Sequence, residues 1–288
     1  SAQTTVGTAT LHKLADEYYT WRNENFPVTS SEFGLHTWDD RLTDYAPAKI
    51  AEREKHVRTL LEKVRAMKTE KWPKDDRIDW ILFRSQLEQF DFARRVLQPT
   101  EKNPQIYVGE CVSGIFSLLK KEYDAPEKRA LAATARLKQM PAMLTQGTSN
   151  LKKPVKLYAQ LAIASARSID SLFNDSLMTL ATSLSGAQHD ELVKAREAAL
   201  AAIHGFADQL EKRLPSMPDF APMGEANYNY YLKHVQLLPL DAAQVEMLGR
   251  AELARYRPLE PLRPAPSLPD PAPTRAATIP PDPPRCAN

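Results

Sequence analysis

The chain has 288 residues, enough to bury a sizeable core in one large domain or two small ones. Its formal net charge of +2 gives no basic field of the kind that favours nucleic acid, and no apolar run approaches the roughly 18 residues that span a membrane. The two cysteines, Cys111 and Cys286, are too few and too far apart for a disulfide framework or a zinc site. We therefore expect two free thiols.

The chain begins with Ser1-Ala2-Gln3 and without an initiating Met. Two explanations stay open for this start: a remnant of cloning, or the mature end that signal-peptide cleavage leaves. The second explanation fits an exported bacterial protein, either periplasmic or secreted.

Helical spacing of apolar residues is common along the chain, whereas alternating strand patterns are almost absent. The first predicted helix carries four apolar side chains on one face, at Leu11, Leu14, Tyr18 and Trp21. A second helix is predicted from Ile50 to Met67, with Pro47 in its first turn, where the missing N–H would have no helical partner. A third helix should start near Asp75 or Asp76. Because apolar residues cover more than one of its faces, we expect it at the centre of the core.

Pro99 and Pro104 bracket a predicted loop, and a short apolar helix follows from Tyr107 to Leu119. Three later helix starts have the capping-box spacing, in which a side-chain oxygen accepts an unpaired backbone N–H. These pairs are Asp124 with Glu127, Ser185 with Gln188, and Asp241 with Gln244. A long helix is predicted from about Lys153 to Leu184, with apolar residues at Leu157, Leu161, Ala164 and Leu172. The chain is therefore predicted to be all-α, an irregular array of about eight helices without a fixed repeat.

Composition changes sharply near Pro258. The last 31 residues contain 11 prolines and no lysine, and proline blocks helix interiors and removes sheet donors. The sequence thus predicts a helical domain over residues 1–257 and a disordered, proline-rich tail over residues 258–288. The tail is either a natural linker or ligand for proline-binding modules, or the product of a shifted reading frame or a truncated gene.

No complete catalytic motif is present. None of the six histidines pairs at i, i+4 with an adjacent Glu as a zincin helix requires, and the chain has neither a Gly-rich phosphate loop nor a nucleophile elbow. One loop between predicted helices, residues 32–42, concentrates chemistry at His36, Asp39 and Arg41. Such loops often carry function. The alternative is a structural turn with an Asp–Arg pair and a buried Trp.

A second unusual segment, residues 223–232, holds three tyrosines in four residues. Tyr228 and Tyr231 would share a helix face, and Tyr230 would lie off it. Their rings either pack into the core with the hydroxyls at its rim or line a substrate groove.

Several segments together resemble the bacterial family called domain of unknown function 885. They are, in chain order, 14–19 (LADEYY), 34–42 (GLHTWDDRL), 224–233 (GEANYNYYLK), 237–240 (LLPL) and 248–253 (LGRAEL). The resemblance covers about residues 8–257, and the order and spacing of the motifs add weight to it.

The family is similar to zinc metallopeptidases of the zincin type, whose members are helix-rich, often exported and about twice as long as this chain. Their zinc-binding helix lies in the second half. The resemblance therefore implies an amino-terminal half that is inactive alone, with no cofactor or metal ligand of its own. Zinc and a peptide-like substrate are expected in full-length relatives. The motif positions His36, Asp39, Arg41, Tyr228 and Tyr231 are the candidate substrate-binding residues.

Two hypotheses follow. In the first, the chain forms one wall of a peptidase cleft, and apolar surface that a second half would cover makes it self-associate. In the second, it is a non-enzymatic helical binding module whose proline-rich tail recruits a partner, since polyproline is already extended before binding.

Overall fold

The computed structural model describes residues 2–258, with side chains from residue 7 onward. Within this range the chain contains α-helices and no strand, which confirms the all-α prediction. The α-helices are α1 (Ala2–Asn25), α2 (Pro27–Glu32), α3 (Pro47–Arg65), α4 (Lys74–Phe92), α5 (Pro99–Lys102), α6 (Gln105–Leu119), α7 (Pro126–Asn150), α8 (Lys156–Arg167), α9 (Leu177–Ala181), α10 (Gly186–Arg213), α11 (Glu225–Tyr230) and α12 (Ala242–Tyr256). Eight of these have twelve residues or more. Apart from Pro258, the predicted tail lies outside the described residues, as does Cys286.

The chain divides into two compact units, residues 1–240 and residues 241–288. The described part of the second unit is α12 with its amino-terminal cap. Here the predicted capping box is confirmed: Asp241 Oδ1 accepts from the Gln244 N–H at 2.8 Å, and Gln244 Oε1 accepts from the Asp241 N–H at 2.9 Å.

The first unit contains two buried apolar clusters. One joins α1, α3 and α4, and its fully buried members are Leu11, Val57, Leu61, Val64 and Leu87. The apolar stripes predicted for the first two helices therefore pack against each other. The expectation that the third helix is central was wrong. Helix α4 buries Phe83 and Leu87 but leaves Ile78, Ile81 and Leu82 exposed, so it lies at an edge of this cluster.

The second cluster joins α6, α7, α8, α9 and α10, and it is the larger of the two. The most extensive contact between two helices of this cluster is that of α7 with α10. Small residues permit the close packing, since a Cβ added at Gly147 in α7 would stand 2.7 Å from Tyr107 Cγ of α6. Cys111 is a buried free thiol in this cluster, and burial raises its pKa well above the usual value.

The predicted long helix from Lys153 to Leu184 is interrupted. Helix α8 ends at Arg167, where the Ser168 N–H bonds to both Ala164 O and Ser165 O and tightens the last turn. A π-helical turn (Leu172–Ser176) and α9 follow. The apolar residues singled out in the sequence do not mark its buried side: α8 buries Ala159, Ala162 and Ala166, while Leu157 and Leu161 are exposed. Its alanine face brings α8 close to its neighbours, which leaves no room there for leucine.

Two of the predicted capping boxes are not formed. The N-cap of α7 is Ala125, because Pro126 is the first helical residue; Asp124 Oδ1 accepts instead from the Ala125 N–H. Ser185 does occupy the N-cap of α10, but its side chain makes no capping bond.

Candidate functional site

The loop that carries His36 and Asp39 leaves α2 at Gly34, whose φ of +85° is a conformation that glycine adopts without strain. Asp39 is buried at 8% exposure. Its Oδ1 accepts from Ser31 Oγ at 2.5 Å, and its Oδ2 accepts from the hydroxyl of Tyr123 and lies 3.0 Å from His36 Nδ1. The His36 and Tyr123 rings are stacked. The carboxylate is thus held by three side chains and does not face open solvent.

Arg136 of α7 lies directly beneath this loop and is completely buried. Its Nη1 donates to Gly114 O at 2.7 Å, its Nη2 to Ser31 Oγ at 2.7 Å, and its Nε to Arg41 O at 3.0 Å. The guanidinium is also 4.0 Å from Asp39 Oδ1. A buried cation, a buried carboxylate and the hydroxyl between them therefore fix the loop onto α2, α6 and α7.

The sequence prediction missed both Arg136 and Tyr123. A signal for Arg136 exists, because it occupies a position on the same face of α7 as the buried Ala133 and Met140. An arginine on an apolar stripe needs a buried partner. The structural alternative for this loop was an Asp–Arg pair within the turn. Asp39 instead pairs with Arg136, which lies almost a hundred residues later in the chain.

Arg41 has a different place from the one expected. Its side chain is 54% exposed and forms only loose ion pairs, at 3.6 Å to Glu24 and 3.9 Å to Asp40. Such exposed pairs contribute little. Only its backbone carbonyl joins the Arg136 network.

A cavity of about 320 Å³ opens beside His36. Its walls come from the loop and from the start of α7, and they include Tyr123, Asp40 and Lys128. Burial, followed by the hydrogen bond to Asp39, raises the pKa of Tyr123 above its ordinary value, so its proton stays on the phenol. The cavity thus presents an imidazole edge, a neutral phenol and charges of both signs.

The tyrosine segment lies elsewhere, against α4. The Tyr230 hydroxyl donates to Glu88 Oε2 at 2.5 Å, and Arg65 donates two bonds to the same carboxylate, at 2.8 and 2.7 Å. Glu88 is only 2% exposed. Tyr231 begins a π-helical turn and accepts from Gln236 Nε2 at 2.6 Å. Tyr228 is half-buried, and its hydroxyl makes no hydrogen bond within residues 7–258.

The five predicted residues therefore do not form one site. His36 and Asp39 belong to the loop cluster with Tyr123 and Arg136, while Tyr231 packs near Phe92 with ring centroids 5.4 Å apart. Tyr230, which the helical-face argument set aside, hydrogen-bonds to Glu88 of α4. The substrate-binding role of all five residues stays a prediction.

The described residues do not fit a zinc ion. Within residues 7–258 no group of three or more His, Cys, Asp and Glu side chains is arranged to hold a metal. Asp39, the best-placed carboxylate beside a histidine, already accepts from Ser31 and Tyr123. Among the described helices, none has the length and apolar character needed to cross a membrane.

A family model and a solved structure each match most of the chain. No curated protein sequence matches it. Among solved structures, one described as a "putative lipoprotein of unknown function" from Shewanella oneidensis superposes with a TM-score of 0.73 at 17% identity, covering 91% of this chain and 50% of the other. The chain thus spans about half the length of that structural neighbour. The sequence model named "Bacterial protein of unknown function (DUF885)" matches residues 27–258. As its motifs predicted, the chain belongs to the DUF885 family of bacterial proteins.

Proposed function

We propose that this chain is the amino-terminal helical part of a longer, exported metallopeptidase of the zincin type, in which it forms one wall of the substrate cleft. The observation that carries the idea of a longer protein is the structural comparison, because the fold of this chain accounts for only half of the Shewanella chain; the metallopeptidase type rests on the family resemblance alone. The description of that neighbour as a lipoprotein supports an exported location.

The surface of α4 supports a covering partner. Ile78, Ile81 and Leu82 are 42%, 37% and 53% exposed and follow the i, i+3, i+4 spacing that puts side chains on one helix face. Exposed apolar stripes of this kind often mark interfaces. We assign this stripe to contact with the additional half of the longer proteins.

The loop cluster supports recognition rather than bond cleavage. Asp39 is held by three partners, and Arg136 fixes the loop from below. His36 is held through Nδ1 and lines the 320 Å³ cavity. In this proposal His36 contacts the substrate, and no step of the cleavage is assigned to this chain.

A peptide-cleavage assay tests the assignment of catalysis. The purified chain, supplied with zinc and a mixture of fluorogenic peptides, should release no more product than a buffer control. Cleavage that EDTA abolishes and that follows the chain through a final purification step would overturn the proposal, because the catalytic group would then lie within this chain.

Light scattering tests the covering surface. At tens of micromolar the purified chain should show a weight-average mass that rises with concentration. Leu82→Glu should suppress this rise, whereas Thr59→Glu, on an exposed position of α3, should not. A mass that stays monomeric in the wild-type chain would contradict the assignment of the α4 stripe.

The alternative of a binding module with a recruiting tail stays a prediction, because residues 259–288 lie outside the described range.

A further inference from the structure

A separate cavity of about 240 Å³ lies where α3, the end of α4 and α5 meet. It shares no residue with the cavity beside His36. Its walls include three aromatic rings and two branched side chains, from Phe26, Tyr45, Phe90, Ile50 and Ile106. Its size is below the range of roughly 300–1,000 Å³ typical of pockets for drug-sized ligands, so it suits a small molecule.

The backbone around this cavity departs from regular helix. A π-helical turn (Ala93–Leu97) follows α4, and Gln98 then has φ 50° and ψ 53°, the left-handed conformation that residues other than glycine rarely adopt. The Gln98 N–H closes the π turn on Ala93 O at 2.7 Å, and Pro99 starts α5. Ala93, Gln98 and Pro99 all line the cavity. Such π turns and left-handed residues are frequent at ligand sites.

The cationic side of the cavity is formed by Arg53 and Arg94. Arg53 is 5% exposed, donates to Asp44 O at 2.7 Å and lies over the Phe26 ring. Arg94 donates Nη2 to Asp91 at 2.9 Å, but its buried Nε has no hydrogen-bond partner among the described residues. A buried donor without a partner is costly unless a ligand or water accepts from it.

The anionic side is formed by Glu54 and Glu101. Neither carboxylate takes part in a side-chain hydrogen bond or an ion pair within residues 7–258. Burial raises the pKa of Glu54, with Arg94 opposing and Glu101 adding to the effect, so these three groups influence one another. The cavity lining thus holds two carboxylates without a side-chain partner and a guanidinium whose Nε has none.

We propose that this cavity, between α3, the π turn and α5, binds a free α-amino acid with an aromatic or branched apolar side chain. The ammonium group is bound by Glu54 and Glu101, the carboxylate accepts from Arg94 and Arg53, and the side chain lies on Phe26 and Phe90. A molecule with one charge alone would leave either the Arg94 donor or the Glu54 acceptor unpaired.

Calorimetric titration of the full chain with L-phenylalanine tests the proposal. Saturable binding of one molecule is expected, with phenylacetate and phenethylamine each at least about tenfold weaker because each lacks one charged group. Equal binding of either analogue, or no saturable binding of L-phenylalanine at millimolar concentration, would overturn the proposal.

Two variants locate the binding site. Glu54→Gln should weaken L-phenylalanine binding by about tenfold, and Glu101→Gln, on an exposed side chain, should weaken it by a smaller factor. The matched control is Glu62→Gln, a surface position of α3 that does not line the cavity, and it should bind as the wild type does. If both cavity variants bind like Glu62→Gln, the ligand is not in this cavity and the proposal fails.

Discussion

The phenol of Tyr230 donates a 2.5 Å hydrogen bond to Glu88, a nearly inaccessible carboxylate 142 residues earlier in the chain. Arg65 of α3 donates to both oxygens of the same carboxylate, and its Nη2 also donates to the Tyr230 oxygen at 3.0 Å. Residues from three distant segments therefore meet at one buried charge. This contact fixes α11 and the π turn that follows it onto α4.

Tyr230→Phe should destabilise the fold by about 2 kcal/mol, because it removes a hydrogen bond to a buried carboxylate while keeping the ring. Arg65 stays bonded to Glu88, so the charge is not left alone. Urea unfolding followed by circular dichroism measures the effect. The control is Tyr228→Phe, which should change the free energy of unfolding by less than about 0.5 kcal/mol. Equal costs for the two variants would show that the Glu88 contact does not stabilise the fold.

The tyrosine segment shows what periodicity can and cannot predict. The periodic apolar spacing of α1 and α3 predicted buried positions, because Leu11 and Tyr18 of α1 and Val57, Leu61 and Val64 of α3 lie in one buried cluster. Tyr230 lies in the regular helix α11, off the face expected for Tyr228 and Tyr231, and its partner Glu88 comes from a distant part of the chain that local spacing does not show. The π-helical turn from Tyr231 to Val235 ends the regular helical spacing, and the apolar pattern did not predict it.

The loop cluster shows a second limit. The residues around His36 and Asp39 stood out by composition, and they do form a connected polar site. Their partners Tyr123 and Arg136 come from elsewhere in the chain, so only the tertiary fold brings them together. In α8 the spacing of Leu157 and Leu161 likewise does not mark the buried side, because the close approach of this helix to its neighbours buries alanines instead.

Two glycines in long helices should respond to alanine in opposite directions. At Gly147 an added Cβ would meet the buried Tyr107 ring at 2.7 Å, so Gly147→Ala should destabilise the fold by about 1–3 kcal/mol. At Gly205 in α10 nothing lies within 4 Å, so Gly205→Ala should stabilise it by about 0.5–1 kcal/mol through helix propensity. Thermal unfolding of both variants checks the signs, and a stabilising Gly147→Ala would contradict the described packing of α6 against α7.

Tyr18 should make the fold sensitive to alkali. Burial, partly opposed by Arg22, raises its pKa from 10.0 to about 12. Between these values the unfolded chain binds fewer protons than the folded one, so the free energy of unfolding falls as the pH rises. Tyr18→Phe should remove up to about 2 kcal/mol of the fall between pH 10 and pH 12. Urea unfolding at several pH values measures this. The comparison at pH 8 is the control, and parallel curves for the two proteins up to pH 12 would refute the prediction.

Among the residues of the loop cluster, Arg136 is the one whose substitution should lower the free energy of unfolding most. Arg136→Met leaves Asp39 buried beside no cation and leaves Gly114 O without its donor, so we expect a loss of about 3–5 kcal/mol in urea unfolding. If the loss of stability comes from the unpaired Asp39 carboxylate, the double variant Arg136→Met with Asp39→Asn should be more stable than Arg136→Met alone.

Arg136→Lys keeps a charge but loses the planar set of donors, so it gives an intermediate case should the methionine variant not fold. Arg41→Met, on the exposed side chain of the same loop, is the matched control and should stay within about 0.5 kcal/mol of the wild type. A double variant less stable than Arg136→Met would mean that Asp39 is held by Ser31, His36 and Tyr123 without help from Arg136, and that the arginine serves the backbone carbonyls of the loop instead.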